Sequence, residues 1–292
     1  MSRILITGAT GNIGYEVIRY LTKIGTLNTI VAGVRNIDRA RDILKDFPNI
    51  EFAQFDFEDP NTFGNALDGV DRLFLLRPPH ISNVKKYFTP LILKVKERNI
   101  RQIVFLSVQG AEKSKVIPHN KIEQLILKNG LEYIFLRPSY FMQNLITTLI
   151  SDIHTKRAII LPAGNAKFNW VDIENIGEVG AILLDRFDEY KNQAFEITGL
   201  ENENFEKVTE LINSITGNPI RYISVNPFEF YRIKKGEGMA TGLILVMILL
   251  HFLPRFQKEP KISEFYKILT GKVPTTLSAF IEREKVFFTT IK

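Results

Sequence analysis

Apolar positions follow two alternating rhythms through the first 160 residues. Near-continuous apolar runs at Arg3–Ile6, Thr29–Val34, Ile50–Phe55, Val70–Leu76, Gln102–Ser107 and Glu132–Leu136 predict strands. Between them, apolar residues recur at helical spacing. Ile13, Val17, Tyr20, Leu21 and Ile24 place one face of a helix from about Asn12 to Ile24. Residues 38–45 read as a short helix with Asp38 at its N-cap, and Pro60 suits the first turn of another. A long helix is expected from about Ser82 to Arg98, and one over residues 119–128 stops at Gly130. Strands that are apolar throughout, alternating with helices, predict an α/β fold with a doubly wound parallel sheet covered on both faces.

After about residue 150 the rhythm loosens. Ala158–Leu161 and Ala194–Ile197 read as short strands, Ile173–Leu184 and Phe205–Ile215 as helices, and the chain from Pro227 onward as mostly helical. The expected organisation is a dinucleotide-binding domain over residues 1–155. A smaller, mostly helical subdomain for substrate or partner follows over 156–292, interleaved with the sheet edge and packed over the open end of the sheet. The stretch Met239–Leu253 is strongly apolar over about 15 residues, short of the roughly 20 that span a bilayer. It reads as a buried helix or the hydrophobic wall of a pocket, with membrane-surface contact as the alternative. No transmembrane segment and no secretory leader is expected.

The clearest chemical signal lies between the first strand and the first helix, at Gly8-Ala9-Thr10-Gly11-Asn12-Ile13-Gly14. In this setting Gly8 permits a tight turn, Gly11 lets backbone approach a pyrophosphate, and Gly14 lets helix and strand pack closely. The helix N-terminus, with Thr10, Asn12 and Ile13 around it, offers N–H groups and a positive dipole end to phosphate. Strand two ends at Arg35, with Arg39 and Arg41 close behind, where an NAD-selective site would carry an acid. A guanidinium matches a 2′-phosphate in charge and shape, so NADP(H) is preferred and NAD(H) is possible. Asp56 after strand three either meets the adenine edge or caps the following helix. Leu76 and Arg77 after strand four, and Pro138 and Tyr140 after strand six, complete the assigned cofactor contacts.

Composition narrows the chemistry. The 292 residues contain no cysteine, which removes disulfides and thiolate chemistry and suits a reducing cytoplasm. The net charge of +6 is spread along the chain, so no nucleic-acid partner is expected. The four histidines are scattered, so no metal site is expected.

The segments 7–14 (TGATGNIG), 55–59 (FDFED), 105–111 (FLSVQGA), 119–123 (HNKIE), 136–144 (LRPSYFMQN), 170–177 (WVDIENIG) and 269–281 (LTGKVPTTLSAFI), together with Arg35, carry a resemblance. The chain resembles the NmrA-like group of atypical short-chain dehydrogenase/reductases over essentially its whole length. That resemblance implies an NAD(P)-binding Rossmann fold and either of two roles. One is an NAD(P)H-dependent reductase of a quinone-like or small carbonyl acceptor. The other is a redox-linked regulator that binds NADP(H) without turnover and acts on a protein partner. A sugar-epimerase role is the weaker alternative. The superfamily's usual proton donor is a tyrosine four residues before a lysine; here Lys121 matches the lysine, but Ile117 stands where the tyrosine would be. This departure weakens epimerase and alcohol-dehydrogenase readings, while quinone reduction can draw its protons from water. Lys121 is expected at the nicotinamide ribose, Ser107 near the superfamily serine, and His119 as a substitute proton donor or a plain helix residue. Tyr140, Phe141, Asn144, Phe168 and Trp170 are expected either to line an acceptor pocket or to be core. A monomer or homodimer suits either role.

Overall fold

The computed structural model describes residues 1–289, so the last three residues of the expected subdomain lie outside the described residues. In chain order the strands are β1 (Arg3–Thr7), β2 (Thr29–Val34), β3 (Glu51–Gln54), β4 (Arg72–Leu76), β5 (Gln102–Leu106), β6 (Glu132–Pro138), β7 (Tyr140–Phe141), β8 (Ala158–Leu161), β9 (Phe168–Val171), β10 (Gln193–Ile197), β11 (Asn202–Glu203) and β12 (Arg221–Ser224). The α-helices are α1 (Asn12–Lys23), α2 (Ile37–Ile43), α3 (Phe63–Ala66), α4 (Val84–Glu97), α5 (Pro118–Lys128), α6 (Ile150–Lys156), α7 (Ile173–Asp185), α8 (Phe187–Tyr190), α9 (Phe205–Thr216), α10 (Pro227–Gly236), α11 (Thr241–Phe252), α12 (Phe265–Thr270), α13 (Leu277–Arg283) and α14 (Lys285–Thr289).

The chain divides into two compact units. The first comprises Met1–Pro138, Ile173–Ile197 and Ile268–Gly271; the second comprises Ser139–Asp172, Thr198–Lys267 and Lys272–Lys292. The expected boundary after residue 155 is therefore corrected. The chain leaves the first unit at the end of β6, then returns for α7 and β10. The reason is hydrogen bonding: β10 pairs in parallel with β6, from Gln193 opposite Ile134 to Ile197 opposite Pro138, and completes the sheet.

Among the described residues the first unit holds a seven-stranded sheet in the order β10-β6-β5-β4-β1-β2-β3, all parallel. Its central strands are buried on both faces, which explains their unbroken apolar runs. The order reverses between β1 and β4, and ligands of such sheets bind beyond the carboxyl ends of the strands at that reversal. Helix α1 lies against α7 at very short range: a Cβ on Gly177 would stand 2.4 Å from the Cβ of Glu16. One capping expectation changes, and Pro60 opens a helical turn as expected. Asn36, not Asp38, caps α2 by accepting from the Arg39 N–H. Pro60–Thr62 forms a 3-10 turn capped by Asp59, ahead of the short α3.

The second unit contains a three-stranded sheet, β11-β9-β7, and a parallel pair, β8 with β12. At Gly199 a Cβ would meet the carbonyl of Trp170 at 1.7 Å, so only glycine lets that strand crossing form. The Asn169 side chain ties the crossing, accepting from the Gly199 N–H at 2.8 Å and from the Ser139 hydroxyl at 2.6 Å.

Candidate functional site

The glycine turn has the geometry its sequence implies. Gly8 adopts a left-handed φ of 63°, and the Gly11 N–H closes back on the Gly8 carbonyl at 2.9 Å. At Gly14 a Cβ would sit 2.3 Å from the Gly8 carbonyl oxygen and 2.8 Å from the Ala9 Cα. Thr10, Gly11 and Asn12 are exposed, while Ile13 is buried beneath them. Gly11 is the N-cap of α1, and no side chain caps that end. The first-turn N–H groups of a helix lack intrahelical acceptors, so this end offers donors and a positive dipole to an anion. Thr7 fixes the turn to the neighbouring strand. Its hydroxyl donates to the Phe74 carbonyl at 3.0 Å and accepts from the Leu76 N–H at 2.9 Å.

Arg35 directly follows β2 and is exposed, and among the described residues neither it nor Arg39 pairs with a carboxylate, whereas Arg41 lies 3.9 Å from Asp38. Two guanidiniums therefore stand ready for an anion. Asp56 does not cap the following helix. One of its oxygens accepts from the Glu58 N–H at 2.9 Å, and the turn is secured by Thr62, whose hydroxyl accepts from the Asp56 N–H.

The remaining candidates of the first unit fall into two networks. In one, Arg77 is bound to its own loop: one nitrogen donates to the carbonyls of Pro78, Pro79 and Ile81, and Nε donates to His119 Nε2 at 3.2 Å. Because a guanidinium can only donate, His119 Nε2 accepts and the imidazole is neutral with its proton on Nδ1. Burial and the adjacent Arg77 charge push the His119 pKa down to about 3. The reading of His119 as a proton donor is corrected accordingly, since it carries no acidic proton near neutral pH.

In the second network, the buried Ser107 hydroxyl donates to Glu123 at 2.6 Å. Glu123, itself buried, receives Arg137 in a two-pronged pair at 3.0 and 2.7 Å, and Arg137 reaches Glu112 at 3.0 Å. Ser107 is thus a link in a buried charge network, with its proton committed to a carboxylate. Lys121 is exposed on the same helix, two residues before Glu123, with no carboxylate partner among the described residues. Pro138 is buried at the end of β6, its carbonyl accepting from the Gln109 N–H at 2.9 Å. Thr7, Glu123 and Arg137 were not singled out by sequence reasoning. Glu123 had a legible signal: it is an acid on the same helix face as Ile122 and Ile126.

The aromatic candidates come together in the second unit, as core. Trp170 and Phe168 are buried, and Trp170 donates through its indole N–H to the Glu203 carbonyl at 2.9 Å. Of the two readings given for these residues, Phe168 and Trp170 follow the core one and not the pocket: both rings pack edge-on or tilted against Tyr140 and Phe205. Phe141 of β7 pairs with Val171 of β9, Asn144 lies in the 3-10 turn that follows, and the Tyr140 ring packs edge-on to Trp170, its phenol part of the same cluster. That phenol also lies 3.0 Å from His251 Nε2. His251 Nδ1 lies 2.7 Å from the Met247 carbonyl, so Nδ1 carries the proton and the tyrosine donates to Nε2. Burial raises the Tyr140 pKa and lowers that of His251 to about 4.

A model of the NmrA-like family matches residues 1–281. The chain belongs to the NmrA-like family. Prestalk A differentiation protein A of Dictyostelium discoideum is 32% identical over 279 residues, covering 95% of this chain and 90% of that protein. An NAD(P)H azoreductase of Xenophilus azovorans is 26% identical over 289 residues, covering 98% and 99%. Among solved structures, an NADPH-dependent quinone oxidoreductase of Escherichia coli complexed with NADPH superposes with a TM-score of 0.85, at 22% identity over 97% of this chain and 99% of that one. For this NmrA-like chain that likeness bears on the fold, a Rossmann-type NAD(P)-binding architecture.

Proposed function

We propose that this NmrA-like chain is an NAD(P)H-dependent oxidoreductase that delivers hydride to a flat conjugated acceptor, quinone-like or azo-like. The observation that carries the reading is the uncapped N-terminus of α1 beneath the Gly8–Gly14 turn, at the reversal of strand order. The turn fits a pyrophosphate because side chains are missing where backbone must approach it, and Arg35 with Arg39 fits a 2′-phosphate. Bound NADPH would supply the hydride. The chain's own residues would hold it: the Gly11–Ile13 N–H groups at the phosphates, Arg35 at the ribose phosphate, and Lys121 at the second ribose.

No side chain in the first unit's networks is poised as an acid at neutral pH, since Ser107 is committed to Glu123 and His119 is neutral. Such a site suits acceptors whose reduced form takes its proton from water, and disfavours sugar epimerisation. The test is NADPH oxidation, followed at the nicotinamide absorbance, with a panel of quinones and azo dyes. Turnover of at least one is expected. Tight NADPH binding with no turnover across the panel would reject the reading.

The same absence of an acid favours a second reading, a nucleotide-sensing regulator. It predicts a protein partner whose capture changes between NADPH and NADP⁺.

A further inference from the structure

Helix α11 is apolar along its whole length, yet only one stripe of it faces the core. Ile244, Met247 and His251 are buried at one-turn and two-turn spacing. On the other side, Leu245, Val246, Leu249, Leu250 and Leu253 are 46–57% exposed, and Phe256, ending the 3-10 turn that follows, is 74% exposed. The expectation of a buried helix is therefore corrected, and a large apolar face is left open. Twelve residues of helix rise about 18 Å, well short of a hydrocarbon core of about 30 Å, and no helix of the described residues is long and apolar enough to cross a membrane.

Several cations without an acidic partner lie close to this face in the chain. Arg232 and Lys235 on α10, and Arg255 and Lys258 just beyond α11, are exposed, and among the described residues none has a carboxylate partner. Arg255 is held in place, its guanidinium 5.2 Å over the Phe252 ring and close against Gly164. It borders a cavity of about 410 Å³ whose lining also includes Lys167, Lys258 and Glu259. Glu259 pairs with Lys167 at 2.9 Å, so Arg255 and Lys258 supply the cavity's net positive charge.

We propose that α11 with the Leu253–Phe256 turn is a docking face for an anionic lipid surface. The leucines enter the acyl boundary, and Arg255 and Lys258 take a headgroup phosphate in the adjoining cavity. An apolar face bordered by the unpaired cations Arg255 and Lys258 complements a negative bilayer. It complements an identical copy poorly, because a two-fold contact would bring like charges together.

The test uses the full chain with sedimenting vesicles of phosphatidylcholine, with and without phosphatidylserine. Binding is expected to the anionic vesicles and to weaken as salt is raised. Leu245→Ser with Leu249→Ser should cut partitioning by about tenfold or more. Arg255→Gln with Lys258→Gln should cut it several-fold, and being exposed this pair tests the proposal even where the leucine variant misfolds. Circular dichroism checks both variants. Absence of wild-type binding, equal binding to neutral vesicles, or binding indifferent to folded variants would overturn the proposal. So would a dimer in light scattering that the leucine substitutions dissolve while vesicle binding is absent.

Discussion

Gly14 carries a constraint that a single methyl group would break. The atoms such a group would meet, the Gly8 carbonyl oxygen at 2.3 Å and the Ala9 Cα at 2.8 Å, are both backbone and cannot turn aside. Gly14→Ala should therefore destabilise the fold by about 1–3 kcal/mol, read as a fall in thermal midpoint, and should abolish NADPH binding measured by fluorescence. The arginines following β2 make a separable prediction. Arg35→Ala with Arg39→Ala should raise the Kd for NADPH by about tenfold while leaving NADH within about twofold, because only the former carries the 2′-phosphate. Equal losses for both nucleotides would remove Arg35 from its assigned role. These two features were legible in the sequence because each is a local backbone or charge requirement written in adjacent residues. The Ser107–Glu123–Arg137 network was not legible. Its members come from β5, α5 and β6, and only packing decides that an acid on a helix face meets a strand arginine rather than water.

At the scale of elements, hydrophobic period predicted the strands of the central sheet and its longer helices to within a few residues, since each was apolar where the fold buries it. It misjudged α11, because apolar content fixes neither depth of burial nor which face is covered. That helix carries a polar tether to its surroundings, the His251 imidazole accepting from Tyr140 and donating to Met247. The tether sets a pH dependence. The folded His251 pKa is about 4, below the 6.5 of a free imidazole. Between those values the unfolded chain binds a proton that the folded chain refuses. Stability from this group is thus complete above about pH 6.5 and declines as pH falls toward 4, by up to about 3 kcal/mol. His119, held near 3 beside Arg77, adds in the same direction. Thermal midpoints measured from pH 7 to pH 4.5 should fall, and His251→Gln should flatten that slope while lowering the midpoint at pH 7. A slope unchanged by the substitution would show that other groups govern acid stability.

At the scale of the molecule, the sequence pattern predicted a Rossmann sheet followed by a smaller subdomain, with a boundary near residue 155. A short apolar strand such as Ala194–Ile197 looks the same whichever sheet it joins, so its partner could not be read from period alone. The structure joins it to β6, making the first unit discontinuous in sequence. A chain cut after residue 155 would keep the glycine turn and Arg35 but lose α7 and β10. Helix α1 would then expose Val17, buried in the intact fold and close to Gly180 of α7. The β6 edge would be left unpaired, and Arg72, whose guanidinium donates to the Leu184 carbonyl, would lose that acceptor while remaining among apolar strands. Residues 1–155 expressed alone should consequently be aggregated or protease-sensitive and should bind no NADPH, despite holding every cofactor contact assigned from the sequence. Co-expression of residues 156–292 should restore soluble, nucleotide-binding protein, because the missing strand and helix arrive on the second fragment. A soluble, nucleotide-binding 1–155 fragment would mean instead that the six strands β1–β6 suffice as a folding unit and that β10 is an accessory edge.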